Sequence, residues 1–365
     1  MGFANKNITS YTDLRGKVWS YTWDGSANKL TETNPLSQVT TWTYNSTNDV
    51  LTVKDALNNT TTLTYNSVGR PLTVVNPLSQ TRVTNTWDSY GELLTTKDAL
   101  NNTTTFAYTT NGDLQTATDP LGNQASFTYD SLGRKLSATN PTGNTESFAY
   151  DEWSRLITQT HPGGSTIQTA YDRESHPTSV TDELSHATTL AYDARGLLTS
   201  QTNARGDVES YAYDADGRRT SVTNGRGYAR TYAYTARGEV SSLTLPDSAV
   251  EHWTYNGNGE ISGYTNPLSQ SITYGYDDAG RQTGITYPSG PNVTFAYDAA
   301  GRRTSMVDAI GTTSWTFDAA SQATALNTPQ GNMTYGYDSA GRRTSMVETG
   351  VGTSTYSYDA DSRLT

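Results

Sequence analysis

Residues 213–227 read YDADGRRTSVTNGRG, residues 297–311 read YDAAGRRTSMVDAIG, and residues 337–350 read YDSAGRRTSMVETG. An aromatic, an acid, a glycine and an arginine return at fixed places. Anchoring each unit on the aromatic before the acid gives Trp23, Tyr44, Tyr65, Trp87, Tyr108, Tyr129, Tyr150, Tyr171, Tyr192, Tyr213, Tyr234, Tyr255, Tyr276, Tyr297, Phe317, Tyr337 and Tyr358. Of the sixteen spacings, thirteen are 21 residues, one is 22 and two are 20. Such a period across a whole chain marks a repeat architecture rather than a domain with a linker.

Inside a unit the pattern alternates with period two. In TESFAYD (145–151), Phe148 and Tyr150 share one face, and Ser147, Ala149 and Asp151 share the other. Thirteen of the seventeen anchors have a second aromatic two residues earlier, which a strand places on the same face and a helix does not. After each anchor come a tight turn, a second short strand such as RRTSVT, and another turn spelled NPLS, DPLG or NPTG. Asx followed by Pro and then Gly is turn chemistry. Each unit therefore reads as a β-hairpin. Asp or Asn follows 15 of 17 anchors, placed to accept backbone N–H groups in the turn it opens. The fourth position after the anchor is Gly in 11 of 17 units, including Gly133, Gly217, Gly301 and Gly341, and predicts a positive φ. The fifth is Arg in 8 of 17, including Arg134, Arg218, Arg302 and Arg342, expected to cover aromatic faces and pair with turn aspartates. The three irregular spacings fall after Ser79, Gly311 and Gly331, so the tip of the hairpin absorbs the length changes.

Composition agrees with this reading. Leu, Ile, Val and Phe number 55 of 365 residues, low enough for disorder, but 25 Tyr and 7 Trp supply the packing that aliphatics do not. A net charge of −11 excludes a nucleic-acid footprint. No apolar run is long enough for a membrane span, and none reads as a signal peptide. Zero Cys excludes disulfides and thiolate metal sites. The fold class is all-β: antiparallel hairpins of about 21 residues, a single array over residues 1–365, expected to be cut mid-repeat at both ends. Sixteen hairpin steps make a ribbon about 150 Å long across its strands, enough for one turn about 50 Å wide or several narrower turns. Coiling is expected to bury the aromatic face and leave the Thr/Ser face wet. The sheet edges are expected at KVWSYTW (17–23) and STYSYD (354–359), where copies could pair head to tail, more strongly as salt screens the net charge.

The YDxxGR core repeated at this period resembles the rearrangement-hotspot, or YD-repeat, family, and the likeness runs over nearly the whole chain. The resemblance implies a β-ribbon wound into a spiral. In bacterial toxins of the family the ribbon forms a hollow shell around a toxic C-terminal domain; in teneurins a similar shell supports adhesion. The family's terminal motif, of the form DPxGLxxG, has no match in this sequence, and the variable toxin region is expected to lie outside it. The resemblance thus implies a scaffold role without self-cleavage. The expected partners are the rest of a parent shell and an enclosed toxin domain, in a secreted or cell-surface bacterial protein.

No catalytic constellation stands out, and no cofactor is implied: no nucleophile elbow, phosphate-binding loop or paired carboxylates. His176 and His186 with Asp182 and Glu183 form a conceivable metal set, outweighed by incidental placement. One Asp per unit is too sparse for a calcium-binding β-roll code. Trp42, Trp87, Trp153, Trp253 and Trp315 could stack on sugars, but all except Trp153 fall on the packing face. The chain reads as a non-enzyme. The alternative to the shell is a surface adhesion or filament module that binds glycans or copies of itself.

Overall fold

The computed structural model describes residues 2–4 and 7–365. These form thirty-five strands and no helix, from β1 (Gly2–Ala4) to β35 (Gly352–Thr355). Every strand pairs antiparallel with its neighbours in sequence, so chain order and sheet order coincide. In β21 (Val208–Tyr213) exposure alternates residue by residue, and Glu209, Tyr211 and Tyr213 take the covered face. On the other face Thr hydroxyls pair across strands, as Thr22 with Thr31 and Thr43 with Thr52, each 2.6 Å apart. Cross-strand hydroxyl pairs of this kind explain why Thr fills positions that carry no aromatic.

The two turns of most units are one design. After β21, Gly217 donates to the Asp214 carbonyl (3.1 Å) and Asp214 donates to the Arg218 carbonyl (3.0 Å). After β22 (Arg219–Thr223), Gly227 donates to Asn224 (2.9 Å) and Asn224 to Tyr228 (3.1 Å). Both are three-residue hairpin loops that end in a left-handed residue. The two edges of the ribbon differ in register. Beside the YD turn the pairing skips, with Ala212 opposite Ser221 but Tyr213 opposite Arg219; beside the tip turn of the same unit it does not, and a tip-side skip occurs at Val74/Val75. The YD-side skip recurs from hairpin to hairpin, so one edge of the ribbon carries a row of bulges, and bulges add local twist.

That twist winds the ribbon onto itself. The tip turn between β2 (Asn7–Thr12) and β3 (Val18–Trp23) meets the YD turn between β25 (Val250–Tyr255) and β26 (Ile261–Thr265), twenty-three strands later. Further along the overlap Ser339 donates to the Ala99 carbonyl, 240 residues back. Twenty-three strands at about 4.8 Å give a circumference near 110 Å and a diameter of about 35 Å. The described chain is therefore about one and a half windings, fewer than a narrow spiral would make.

Two expectations need correcting. Among the described residues no hydrophobic side chain is buried; the aromatic face is half-covered, and the one buried polar residue is Asp13 at 7% exposure. The sheet is a single layer, and a ring of this width is too open for side chains to meet across it. Second, Trp19, Tyr21 and Trp23 are not at an edge. They lie on β3, which pairs with β2 on one side and β4 (Lys29–Thr33) on the other. At the other end the chain turns again after β35, and Tyr358 bridges to Leu364.

Candidate functional site

The recurring residues assemble into a staple between consecutive hairpins. Asp214 Oδ1 accepts from the backbone N–H of Asp216 (3.0 Å) and of Arg218 (2.9 Å). Its Oδ2 accepts from Arg218 Nε at 2.7 Å, and the same guanidinium lies 5.0 Å from the ring centre of Tyr234, the next anchor. Arg134 repeats this on Asp130 and Tyr150, Arg302 on Asp298 and Phe317, and Arg342 on Asp338 and Tyr358. Those three also donate to the backbone carbonyl of the following turn. Burial works against ionisation of Asp214, but the Arg218 side chain and backbone hydrogen bonds outweigh it and hold the carboxyl below its usual range. Gly133, Gly217, Gly301 and Gly341 have φ of 76°, 79°, 83° and 82°. Where the position is not glycine, Ala27, Asn48, Ser154, Ser175, Ser321 and Ser362 adopt the same left-handed conformation.

A hydroxyl ladder joins the units as well, a feature outside the sequence expectations. Tyr213 donates to the carbonyl of Leu198 (2.8 Å), the residue at the register skip of the preceding unit. Tyr150, Tyr276, Tyr297 and Tyr337 do the same to Lys135, Ile261, Gln282 and Ala323. Trp87 uses its indole N–H on Pro71. Tyr65 and Tyr129 hold the anchor position without such a bond, their pKa raised by burial and then by the charges of Asp49 and Asp113. The sequence did carry a signal: sixteen of seventeen anchors are Tyr or Trp, which own a donor, while Phe is frequent two residues earlier.

The remaining candidates disperse. His176 takes the arginine place of its unit, bonded to Asp172 (3.0 Å) and stacked on Tyr192 (4.8 Å). His186 sits in a tip turn on Asp182, at the opposite edge of the ribbon, so the two do not converge. Trp42 lies under Lys29, Trp87 under Arg70, Trp315 under Arg303, and Trp253 against Tyr264. Trp153 stands out in its turn, 66% exposed.

The seam between windings contains Asp13, the one buried residue among the described residues. Asp13 accepts from Asn258 Nδ2 (2.7 Å), from the Arg15 guanidinium, and from the backbone N–H of Arg15 and Lys17. Arg15 reaches on to the carbonyls of Asp277 and Asp278 and to Glu260 at 3.3 Å, and Lys17 pairs with Asp278 at 2.8 Å. Burial alone would raise the Asp13 carboxyl; Asn258 and the surrounding donors bring it down to about 2. Further along, Arg82 donates to Ser339 and Ala340. Arg82 is the extra residue of the 22-residue unit, since Thr81 faces Val75 while Val83 faces Val74. The insertion turns it out of the ladder and into the seam. Tip leucines along this stretch are partly covered: Leu57, Leu78 and Leu100 are 37–39% exposed, against 75% and 79% for Leu184 and Leu268, although Leu14 of the docked tip stays 72% exposed. Opposite them the YD turns carry Ala299, Ala319 and Ala340. At the far end Asp361 faces Asp119, with Arg363 at 3.1 Å and 4.0 Å from the two carboxylates. As carboxylates neither can donate to the other, so both Asp361 oxygens are buried without a hydrogen bond and only the Arg363 charge faces them. Burial, then the hydrogen bond and charge of Asp119, push the Asp361 carboxyl up.

Known proteins share this geometry. In the solved complex titled TcdB2-TccC3 a chain superposes with a TM-score of 0.75 at 13% identity, covering 96% of this chain and 23% of that one. A Tc holotoxin pore of Photorhabdus luminescens gives 0.65 at 14% identity, covering 95% and 24%. At this identity the likeness is one of fold, and this chain spans about a quarter of the length of each. No curated protein sequence matches. The RHS-repeat family model matches four overlapping stretches between residues 255 and 350. The Teneurin YD-shell model matches residues 5–205 and 163–271, well over half of the sequence, and the chain belongs to that family.

Proposed function

We propose that this chain is a non-catalytic scaffold, one array of YD repeats forming part of the wall of a hollow shell that encloses a toxin domain. The parent protein on this reading is secreted or displayed at the surface of a bacterium. The observation that carries it is the seam: the ribbon meets its own edge after twenty-three strands, which makes a wall around a space. The repeat's aspartates, arginines and tyrosines bond to neighbouring units, which supports a structural use for them. No helix among the described residues is long and apolar enough to cross a membrane. Electron microscopy of the isolated protein tests the wall. A hollow ring about 35 Å across, measured strand to strand, is expected, and a solid rod would overturn it. Enclosure is tested on the longer parent protein, where a cargo domain should resist protease until the shell is unfolded. Adhesion remains the second reading because Trp153 is exposed in its turn. Glycan binding that Trp153→Ala abolishes would favour it.

A further inference from the structure

The seam uses a turn that the chain repeats elsewhere without a partner. Asp13-Leu14-Arg15-Gly16 is an Asx-x-Arg-Gly tip turn, and Asn203-Ala204-Arg205-Gly206 and Asn224-Gly225-Arg226-Gly227 are two more. All three have the same left-handed glycine, with φ of 80°, 86° and 83°. Only the first is docked, through Arg15 to Glu260 and to the carbonyls of Asp277 and Asp278. Arg205 and Arg226 are exposed, on adjacent tips of an edge that no described winding covers.

The complementary half is also free. Glu260, which receives Arg15, stands five places after its anchor Tyr255. Glu92 and Asp113 stand at that same place after Trp87 and Tyr108, both half-buried, on adjacent YD turns of the first winding, whose YD edge no described winding covers. Burial and the neighbouring Asp88, by charge and hydrogen bond, raise the Glu92 carboxyl, and it has no salt bridge among the described residues. Two basic tips 21 residues apart thus match two acidic YD turns 21 residues apart, in the chemistry that already closes the seam.

We propose that a second copy of this chain docks by its YD edge, Glu92 and Asp113, on the tip edge at Arg205 and Arg226, continuing the seam from one molecule to the next. The contact joins different surfaces and need not close, so copies stack coaxially into an open filament. It goes beyond the scaffold reading and holds whether or not the shell encloses anything. It differs from pairing through strand edges in its response to salt. Ion pairs at a turn edge weaken as salt is added, whereas strand pairing opposed by a net −11 charge strengthens.

Sedimentation velocity of the full chain, in about 0.05 M and about 0.5 M sodium chloride, tests it. Concentration-dependent association is expected at low salt and should fall at high salt. Arg205→Glu with Arg226→Glu should weaken association by about tenfold or more, as should Glu92→Arg with Asp113→Arg. An equimolar mixture of the two reversed proteins should associate again, because the unchanged tips of one meet the unchanged YD edge of the other and the two reversed surfaces also match in charge. The same β circular dichroism in both variants shows that they fold, and Arg205→Ala with Arg226→Ala serves where a reversal does not. A protein that stays monomeric at low salt, or whose association grows with salt or ignores the reversals, overturns the proposal.

Discussion

At the residue scale the left-handed turn position sets the clearest requirement. A β-carbon on Gly217 would meet only Leu197 Cδ1 at 3.7 Å, so space is available and the cost of substitution is conformational. Gly217→Val should destabilise by about 1–3 kcal/mol, while Gly217→Asn should come close to wild type, since Asn48 holds the same place at φ 67°. Denaturant midpoints decide it, and equal midpoints for Gly217→Val would remove the requirement. The hydroxyl ladder makes a sharper claim. Tyr213→Phe leaves the Leu198 carbonyl without its donor and should cost about 0.5–1.5 kcal/mol. Tyr129→Phe removes a hydroxyl that makes no such bond and should cost less. Equal losses at the two sites would show that the ladder contributes nothing. Tyr213→Ala should fall short of the about 3–5 kcal/mol of a buried aromatic, because Tyr213 is half-buried in a single-layer sheet.

At the scale of the element, the hairpin was readable almost entirely from local sequence. Period-two aromatics marked the strands, and Asx and Gly marked the turns. The likeness of the two turns was harder to read, because one is spelled YDAAGR and the other NPLSQ. The register skip beside the YD turn leaves no residue signature, since it concerns which backbone atoms oppose each other. Replacing Arg302 by Lys tests the staple between elements. Lysine keeps the charge but loses both the Nε bond to Asp298 (2.7 Å) and the planar face over Phe317 (4.7 Å). Damage in a repeat array is felt first by the neighbouring unit. Arg302→Lys should therefore raise amide exchange in the hairpins around 303–328, and leave residues 130–230 unchanged. A uniform change along the ribbon would argue against a local staple.

At the scale of the whole molecule the seam has opposite pH responses at its two ends. Asp13 ionises near 2 in the fold and near 3.8 when free. Its stabilisation is thus fully present above the free value and lost as pH falls through the folded one. The advantage of wild type over Asp13→Asn should hold above about pH 4 and vanish near pH 2. Asp361 is raised, so its contribution is greatest below the free value and is lost as pH rises through the folded one. Asp361→Asn should therefore raise the melting temperature at neutral pH, where Asp13→Asn lowers it. Melting curves of the two variants at pH 7 and at acid pH check both signs, and shifts of the same sign at pH 7 would refute the assignment.

Local sequence sufficed for the all-β class, the hairpin unit, the anchors and the left-handed turn positions, because each depends on residues within one period. The pairing of each arginine with its own turn and the next ring was legible for the same reason. How far the ribbon coils, and what meets at the seam, became visible only in three dimensions. The winding closes after twenty-three strands, so Asp13 finds Asn258 from 245 residues away. That pitch is the sum of small twists from a row of backbone bulges. No single residue encodes it, and an error of a few degrees per strand would bring different turns together.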